Sequence, residues 1–215
     1  VYSPWWAYGD QRQGKLNFAR GYHIEIGATR RMPGGNSPVS MSYLRGLYGT
    51  KLKEEARRYY GSFISLASRG EMIPNEHCYA EIDPVVKDKW GVPVVRWHWK
   101  WTENELNMVM HGQETFAEMI NEMGGTVVSK MAKTGYDIIR PGGNVKHEVG
   151  GARMGDDPSD SVCNKWSQTW DVPNLYLCDA SSFTSNPDKN PTLTIMAMAW
   201  RCADRIIAEA AKGNV

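Results

Sequence analysis

The sequence predicts an α+β fold, a mostly antiparallel sheet covered on one face by helices. Three observations carry this expectation. Residues 20–27 and 94–101 alternate apolar and polar side chains, the period of a strand with two unlike faces. Residues 102–123 repeat apolar side chains at helical spacing between start and stop signals. Strands and helices interleave without a strict βαβ repeat, which favours antiparallel pairing.

Bulk properties narrow the function classes. The 215 residues suffice for one good core or two unequal domains. A net charge of +1 gives no footprint for nucleic acid. No apolar run approaches the length of a membrane span. The four cysteines, Cys78, Cys163, Cys178 and Cys202, form no CxxC pair, which argues against a zinc site. Cys178 and Cys202 sit in apolar runs and read as buried thiols, with disulfides left open. Nine Trp and ten Tyr are many for this length, and fit a core, an interface or a carbohydrate-stacking surface. No signal peptide is visible, and a start at Val1-Tyr-Ser-Pro4 is consistent with a processed product or an excised fragment.

Residues 1–20 hold Trp5, Trp6 and Tyr8 without a clear period and read as loop. In residues 20–27, Tyr22, Ile24 and Ile26 line one side and His23 and Glu25 the other. Residues 28–42, rich in Gly, Pro, Ser and Arg, read as a long loop of the kind used for lids or contacts. Residues 50–60 read as a short helix, capped by Thr50, with Glu54 and Glu55 early, Arg57 and Arg58 late, and Gly61 as the stop. Residues 62–68 are a second strand, and residues 78–82 a third, ended by Asp83-Pro84. In residues 94–101, Val95, Trp97, Trp99 and Trp101 share one face, and Arg96, His98 and Lys100 the other. The Trp face reads as sheet core, with a pocket or sugar wall at Trp97 and Trp99 as the alternative.

The helix over 102–123 is capped by Thr102, has Glu103 and Glu105 in its first turn, and ends at Gly124-Gly125; only Gln113 interrupts its apolar face. Residues 125–139 read as strand, turn and strand. Residues 174–179 read as a short apolar strand whose carboxyl end passes into Asp179, Ala180 and Ser181, the place where ligands sit in open α/β sheets. Residues 191–212 make the best helix. Asn190 caps it, Pro191 takes its first position, and Ile195, Met198, Cys202, Ile206 and Ala210 follow at helical spacing up to Gly213.

Two stretches in the last third suit chemistry. His147-Glu-Val-Gly-Gly-Ala-Arg-Met-Gly155 sets a histidine, whose ordinary titration range suits proton transfer, beside glycines that let a ligand approach the backbone. Asn190-Pro-Thr-Leu-Thr194 opens a helix and aims free N–H groups outward. Each has a plainer reading: Gly150 and Gly151 as a tight turn, Arg153 as an ion-pair partner, Asp179 as a turn residue, Asn190 as a cap alone. His23, His77, His98 and His111 lie in no motif and read as packed or solvated.

Taken in order, His147-x-x-Gly-Gly-x-Arg-Met-Gly155, Ser161-Val162, Val172-Pro-Asn-Leu-Tyr176, Asp179-Ala-Ser181 and Asn190-Pro-Thr-Leu-Thr194 resemble the C-terminal region of the glucose–methanol–choline (GMC) flavoprotein oxidoreductases. Glu71-Met-Ile-Pro-Asn75 and Lys87-Asp-Lys-Trp-Gly91 resemble that family's substrate domain more loosely. The look is nearest to bacterial sugar and polyol dehydrogenases, such as the gluconate 2-dehydrogenase flavoprotein type.

The resemblance implies an FAD-dependent oxidation of a sugar or polyol hydroxyl, with no metal. His147 matches the family's catalytic base, and Asn190 a second active-site position. Asp179, Ala180, Asn190, Pro191 and Thr192 match cofactor contacts. It implies a substrate domain over 1–145, and a segment over 146–215 that contributes active-site groups plus a last strand and helix of the FAD-domain sheet. The family's G-x-G-x-x-G fingerprint is absent, so the chain reads as the C-terminal portion of a longer enzyme, binding FAD poorly or not at all alone. Its implied partners are the N-terminal FAD-binding portion and a small subunit or cytochrome as electron acceptor, in a periplasmic setting. The alternatives are a non-catalytic carbohydrate-binding or subunit-docking module and an oxygen-using oxidase of the same family.

Overall fold

A computed structural model of the chain describes residues 2–6, 8–28, 44–186 and 188–214. Most of the expected loop over 28–42 lies outside the described residues. The chain divides into two compact units. One comprises Val1–Gly70 and Leu106–Ile139, the other Glu71–Glu105 and Arg140–Val215.

In the first unit, β1 (Tyr2–Trp6), β2 (Tyr22–Ala28) and β3 (Ile64–Gly70) form an antiparallel sheet in that order. The loop expected over residues 1–20 is thus corrected: it holds β1 and the short helix α1 (Tyr8–Arg12). β1 hides its period because its register shifts between Ser3 and Trp6, around Pro4, an irregularity that an edge strand tolerates. The helix α2 (Gly49–Arg58) begins earlier than expected. Tyr48 occupies its cap position without a side-chain bond, so Thr50 lies inside the first turn and Glu54 and Glu55 fall past it.

The core of this unit joins β2 to the long helix α3 (Glu103–Glu122). Phe18, Tyr22, Ile24 and Met108 are buried together, with Leu16, Ile26, Leu66, Phe116 and Met119 against them. The Tyr22 hydroxyl bonds His111 Nδ1 at 2.8 Å and Thr115 Oγ1 at 3.3 Å. Burial pushes that phenol up to about 12. His23, on the other face of β2, is buried too, the packed one of its two readings, with Nε2 3.5 Å from Glu25 Oε1. Gly112 lets α3 approach the sheet, since a Cβ there would lie 3.3 Å from Ser68 Oγ.

Residues 125–139 form no strand. The side chain of Gln113, the one break in the helix's apolar face, both donates to the Ala132 carbonyl (3.2 Å) and accepts from its N–H (2.7 Å). That exchange satisfies backbone groups a ladder would otherwise pair. A capping box between Thr134 and Asp137 then starts a 3-10 turn over Gly135–Asp137.

In the second unit, β4 (Tyr79–Lys87) and β5 (Pro93–His98) form an antiparallel hairpin. β4 does not stop at Asp83-Pro84; its register shifts between Ile82 and Lys87. Asp83 Oδ1 accepts the N–H groups of Val85 and Val86, both at 2.8 Å, and Oδ2 accepts Arg96 Nε at 2.9 Å. Those backbone donors, with Arg96 behind them, hold the Asp83 carboxyl below its usual range. The alternation read in residues 94–98 holds. His98 stacks on Tyr79 at 4.2 Å and sits 2.8 Å from Glu81, while Ile82, Val95 and Trp97 share the opposite face.

That Trp face is not a core within this unit, because Trp97 is 68% exposed and Val95 50%. Trp99 and Trp101 lie beyond the strand end, edge to face at 5.2 Å. Residues 174–179 make a single bridge, Gln168↔Tyr176, rather than a strand. The helix α4 (Thr192–Ala210) closes the chain with Cys202 buried, but Cys178 is exposed, against the reading of both as buried thiols. No helix among the described residues is long and apolar enough to cross a membrane.

Candidate active site

The Gly-rich stretch is laid along the segment that precedes α4. Gly150 N–H donates to the Ala180 carbonyl (3.3 Å), Ala152 to that of Ser181 (2.9 Å) and Met154 to that of Ser182 (2.8 Å). Gly150 adopts φ +83°, and a Cβ there would sit 3.3 Å from the Phe183 carbonyl, so this turn requires glycine. On its other side Val162 donates to the Arg153 carbonyl (2.9 Å), which ties the strip to the loop around the buried Cys163.

His147 stands at the head of this strip with its side chain exposed and φ +83°, unusual for a residue other than glycine. Its carbonyl accepts Asn186 Nδ2 at 2.9 Å. Asn186 Oδ1 is buried and has no hydrogen-bond partner among the described residues. Nothing in the sequence singles out Asn186, since an Asn before a Pro in a loop reads as a turn residue.

The two ends of the intervening segment differ in how they start the elements that follow them. Asp179 serves as a cap: Oδ1 accepts the Ser181 N–H at 2.9 Å and the Ser181 hydroxyl, which starts a 3-10 turn over Ala180–Ser182. The Ala180 carbonyl is taken by Gly150 and Phe183. Asn190 does not cap α4. The cap position belongs to the buried Pro191, whose side chain offers no acceptor, and the first intrahelical bond runs from Ile195 N–H to the Pro191 carbonyl (2.9 Å). The N–H groups of Thr192, Leu193 and Thr194 are therefore the open donors of this end, and no acid lies in the first turn. Asn190 itself is exposed.

The structure thus brings the His147 strip and residues 180–186 together by direct bonds, and Asn190 and Thr192 lie on the same run of chain. Among the described residues no hydrogen bond joins Asn190 to His147. The far side of α4 is anchored by Arg201 and Arg205, whose guanidinium carbons lie 5.6 and 5.3 Å from the Trp166 ring centre. Cys202, beside them, is a buried thiol pushed up by that burial. Among the described residues no cluster of three or more His, Cys, Asp or Glu could hold a metal ion.

This geometry can be set beside known proteins. A family model described as GMC oxidoreductase matches residues 74–199. The chain is 36% identical over 159 residues to the 2-methyl-1,2-propanediol dehydrogenase of Mycolicibacterium austroafricanum, covering 74% of this chain and 28% of that protein. It is 30% identical over 217 residues to the fructose dehydrogenase large subunit of Gluconobacter japonicus, covering 98% and 38%. With the gluconate 2-dehydrogenase flavoprotein of Pantoea cypripedii the identity is 28% over 162 residues, covering 74% and 26%. The chain spans well under half the length of each.

Proposed function

The chain belongs to the GMC oxidoreductase family, and from that premise we propose that it is the C-terminal, active-site-forming part of an FAD-dependent dehydrogenase that oxidises a CH–OH group of a sugar or polyol. Flavin dependence is general in this family. The names of the three relatives, all dehydrogenases of polyhydroxylated compounds, support the substrate class. The observation that carries the reading is the uncapped start of α4, with Asn190 unspent beside it, on the segment that also binds the His147 strip.

The residues present fit a flavin. The open N–H groups of Thr192, Leu193 and Thr194 and the helix dipole favour an electron-rich ligand edge. A Cβ at Gly151 would meet nothing within 4 Å, so a ligand has room at the backbone there. Asn190, Pro191 and Thr192 would hold the flavin ring, with Asp179 and Ala180 nearby. Asp179 Oδ1 is committed to Ser181, which leaves its second oxygen for that task. When bound, the flavin supplies the acceptor for a hydride. His147 takes the hydroxyl proton on an imidazole nitrogen as the substrate C–H bond releases its electron pair. Asn190 holds the same oxygen as negative charge gathers on it.

Residues 1–145 would then supply the substrate side and 146–215 the cofactor side. Residues 174–179, which among the described residues pair only on one side, through the Gln168↔Tyr176 bridge, would complete a strand in the sheet of an N-terminal FAD-binding portion. The outward face of α4, where Leu193, Met196, Trp200 and Ile207 are exposed at helical spacing, is apolar enough to pack on that portion. The designation of one relative as a large subunit supports a further subunit as partner, and the electron acceptor is the role proposed for it.

The test is His147→Ala in the full-length enzyme. Reduction of the flavin by sugar or polyol should fall by at least about 100-fold; unchanged turnover with a dye acceptor would remove the assignment. Rapid reoxidation of the reduced enzyme by oxygen would replace the dehydrogenase with an oxidase.

A further inference from the structure

We propose that Asn186 is a positioning residue for His147, an inference that rests on His147 being the base. Its amide fixes the left-handed turn of backbone from which the imidazole serves the site. Such a conformation is strained for a side chain larger than glycine and persists only where its surroundings hold it. His147 has φ +83°. From Gly150 onward the loop is fastened to residues 180–182 by backbone bonds. Ahead of Gly150, among the described residues, the backbone at His147 is held by the bond from Asn186 Nδ2 to the His147 carbonyl, across 39 positions of sequence.

The chemistry of the amide fixes its orientation. A carbonyl only accepts, so the Asn186 NH2 must face His147 and Oδ1 must point the other way. Oδ1 is then buried without a partner among the described residues. The next residue in the chain is Pro187, which has no N–H to give. A folding role alone would be better served by a side chain without an unmet acceptor. A strained backbone and an orphaned polar atom meet at one contact, and that contact belongs to the histidine which the reaction uses. Coincidences of this kind mark places where geometry is kept at the expense of stability. Asn186 also begins the run that ends at Asn190, so the same segment sets the His147 backbone and carries the second polar group of the site.

The experiment uses the full-length, FAD-loaded enzyme. Asn186→Asp is isosteric and replaces the donor with an oxygen that repels the His147 carbonyl; Asn186→Ala removes the contact without repulsion. Each should slow flavin reduction by about 10- to 100-fold, the scale of a misplaced catalytic group, with KM and FAD content little changed. Adding either change to His147→Ala should cost nothing further, because both act through one group. Amide exchange in residues 147–149 should quicken while that of 192–210 stays as it was. Full-rate turnover in Asn186→Asp, alongside a crippled His147→Ala, overturns the proposal and leaves the base assignment standing. Losses that multiply in the double variants, or activity that falls only in step with FAD content, also overturn it. A fully active His147→Ala removes the base assignment, and the positioning role falls with it.

Discussion

Replacing Tyr22 with Phe deletes one oxygen from a fully buried ring at the centre of the first unit. The oxygen bonds His111 Nδ1 at 2.8 Å and Thr115 Oγ1 at 3.3 Å. Packing of the ring survives, so the loss is that of the hydrogen bonds and of a His111 nitrogen left without its partner. Together these are worth about 1–3 kcal/mol, or roughly 10- to 100-fold faster opening of β2 in native-state hydrogen exchange at pH 7. Alkaline pH adds a second reading. Burial raises the folded phenol from its ordinary 10 to about 12. The fold therefore favours the neutral form, and this contribution is complete below pH 10 and lost as the pH rises toward 12. One unit is worth about 1.4 kcal/mol, so a loss of ~1–2 kcal/mol is expected after allowing for solvent near the hydroxyl. Phe cannot ionise, so the gap between parent and variant in urea unfolding should narrow across that window. A variant as stable as the parent at pH 7, or a gap that stays constant to pH 12, would show that the hydroxyl is not held as described.

Three further outcomes follow from particular contacts. Gly135→Ala places a Cβ 2.7 Å from the Leu106 carbonyl oxygen and 2.8 Å from its Cα; backbone cannot yield, and about 1–3 kcal/mol of stability should be lost, read as a melting point lower by about 2–4 °C per kcal/mol. Asp83 is held below the usual carboxylate range by the Val86 and Val85 N–H groups and by Arg96, so its stabilisation is present above about pH 4 and disappears as the pH falls through the depressed folded value. Protection of the β4–β5 hairpin amides, relative to the unfolded exchange rate at the same pH, should therefore fall on acidification in the parent and be low at both pH values in Asp83→Asn. Trp200, 74% exposed in this chain, should behave as a surface residue here, with Trp200→Glu changing stability by no more than about 0.5 kcal/mol. In the full-length protein the same change should cost about 2–3 kcal/mol if α4 packs on the N-terminal portion, and equal effects in the two proteins would count against that packing.

What could be read from the sequence is what burial of a single face imposes. α3 and α4 show their periods because one side of each meets a core, and β2 because Tyr22 and Ile24 join one, although His23 on its other face is buried as well; Phe116 and Cys202 lie on the buried faces expected of them. The same period says which residues share a face but not whether the face is covered: Val95 and Trp97 are correctly grouped, yet exposed. Where side chains do the work of a ladder, pattern gives no warning. Gln113 occupies Ala132 and dissolves the strands expected after α3, and Asp83 carries β4 through a proline that reads as its end. In the site, the glycines and His147 were legible because a backbone approach and a titratable group leave a local signature. Asn186 was not, because its partner lies far away in sequence and only the folded chain joins them.

The sharpest revision concerns Asn190 and Asp179. By residue type both are good helix caps, and a cap spends the side chain that a ligand would otherwise use. The structure spends Asp179 on the Ser181 N–H and leaves Asn190 exposed ahead of a proline cap. Pro191 is what makes this possible: its fixed φ starts α4 without any side-chain acceptor, so the N–H groups of the first turn and the amide of Asn190 remain available together. The two residues should therefore separate under mutation. Asp179→Ala should lose a capping bond, about 0.5–2 kcal/mol, in the melting of the chain itself. Asn190→Ala should leave that melting within about 0.5 kcal/mol, yet slow flavin reduction in the full-length enzyme by about 10- to 100-fold. The reverse outcome, an unstable Asn190→Ala with full turnover, would return Asn190 to the role of a cap and leave the start of α4 without a polar group for the substrate oxygen.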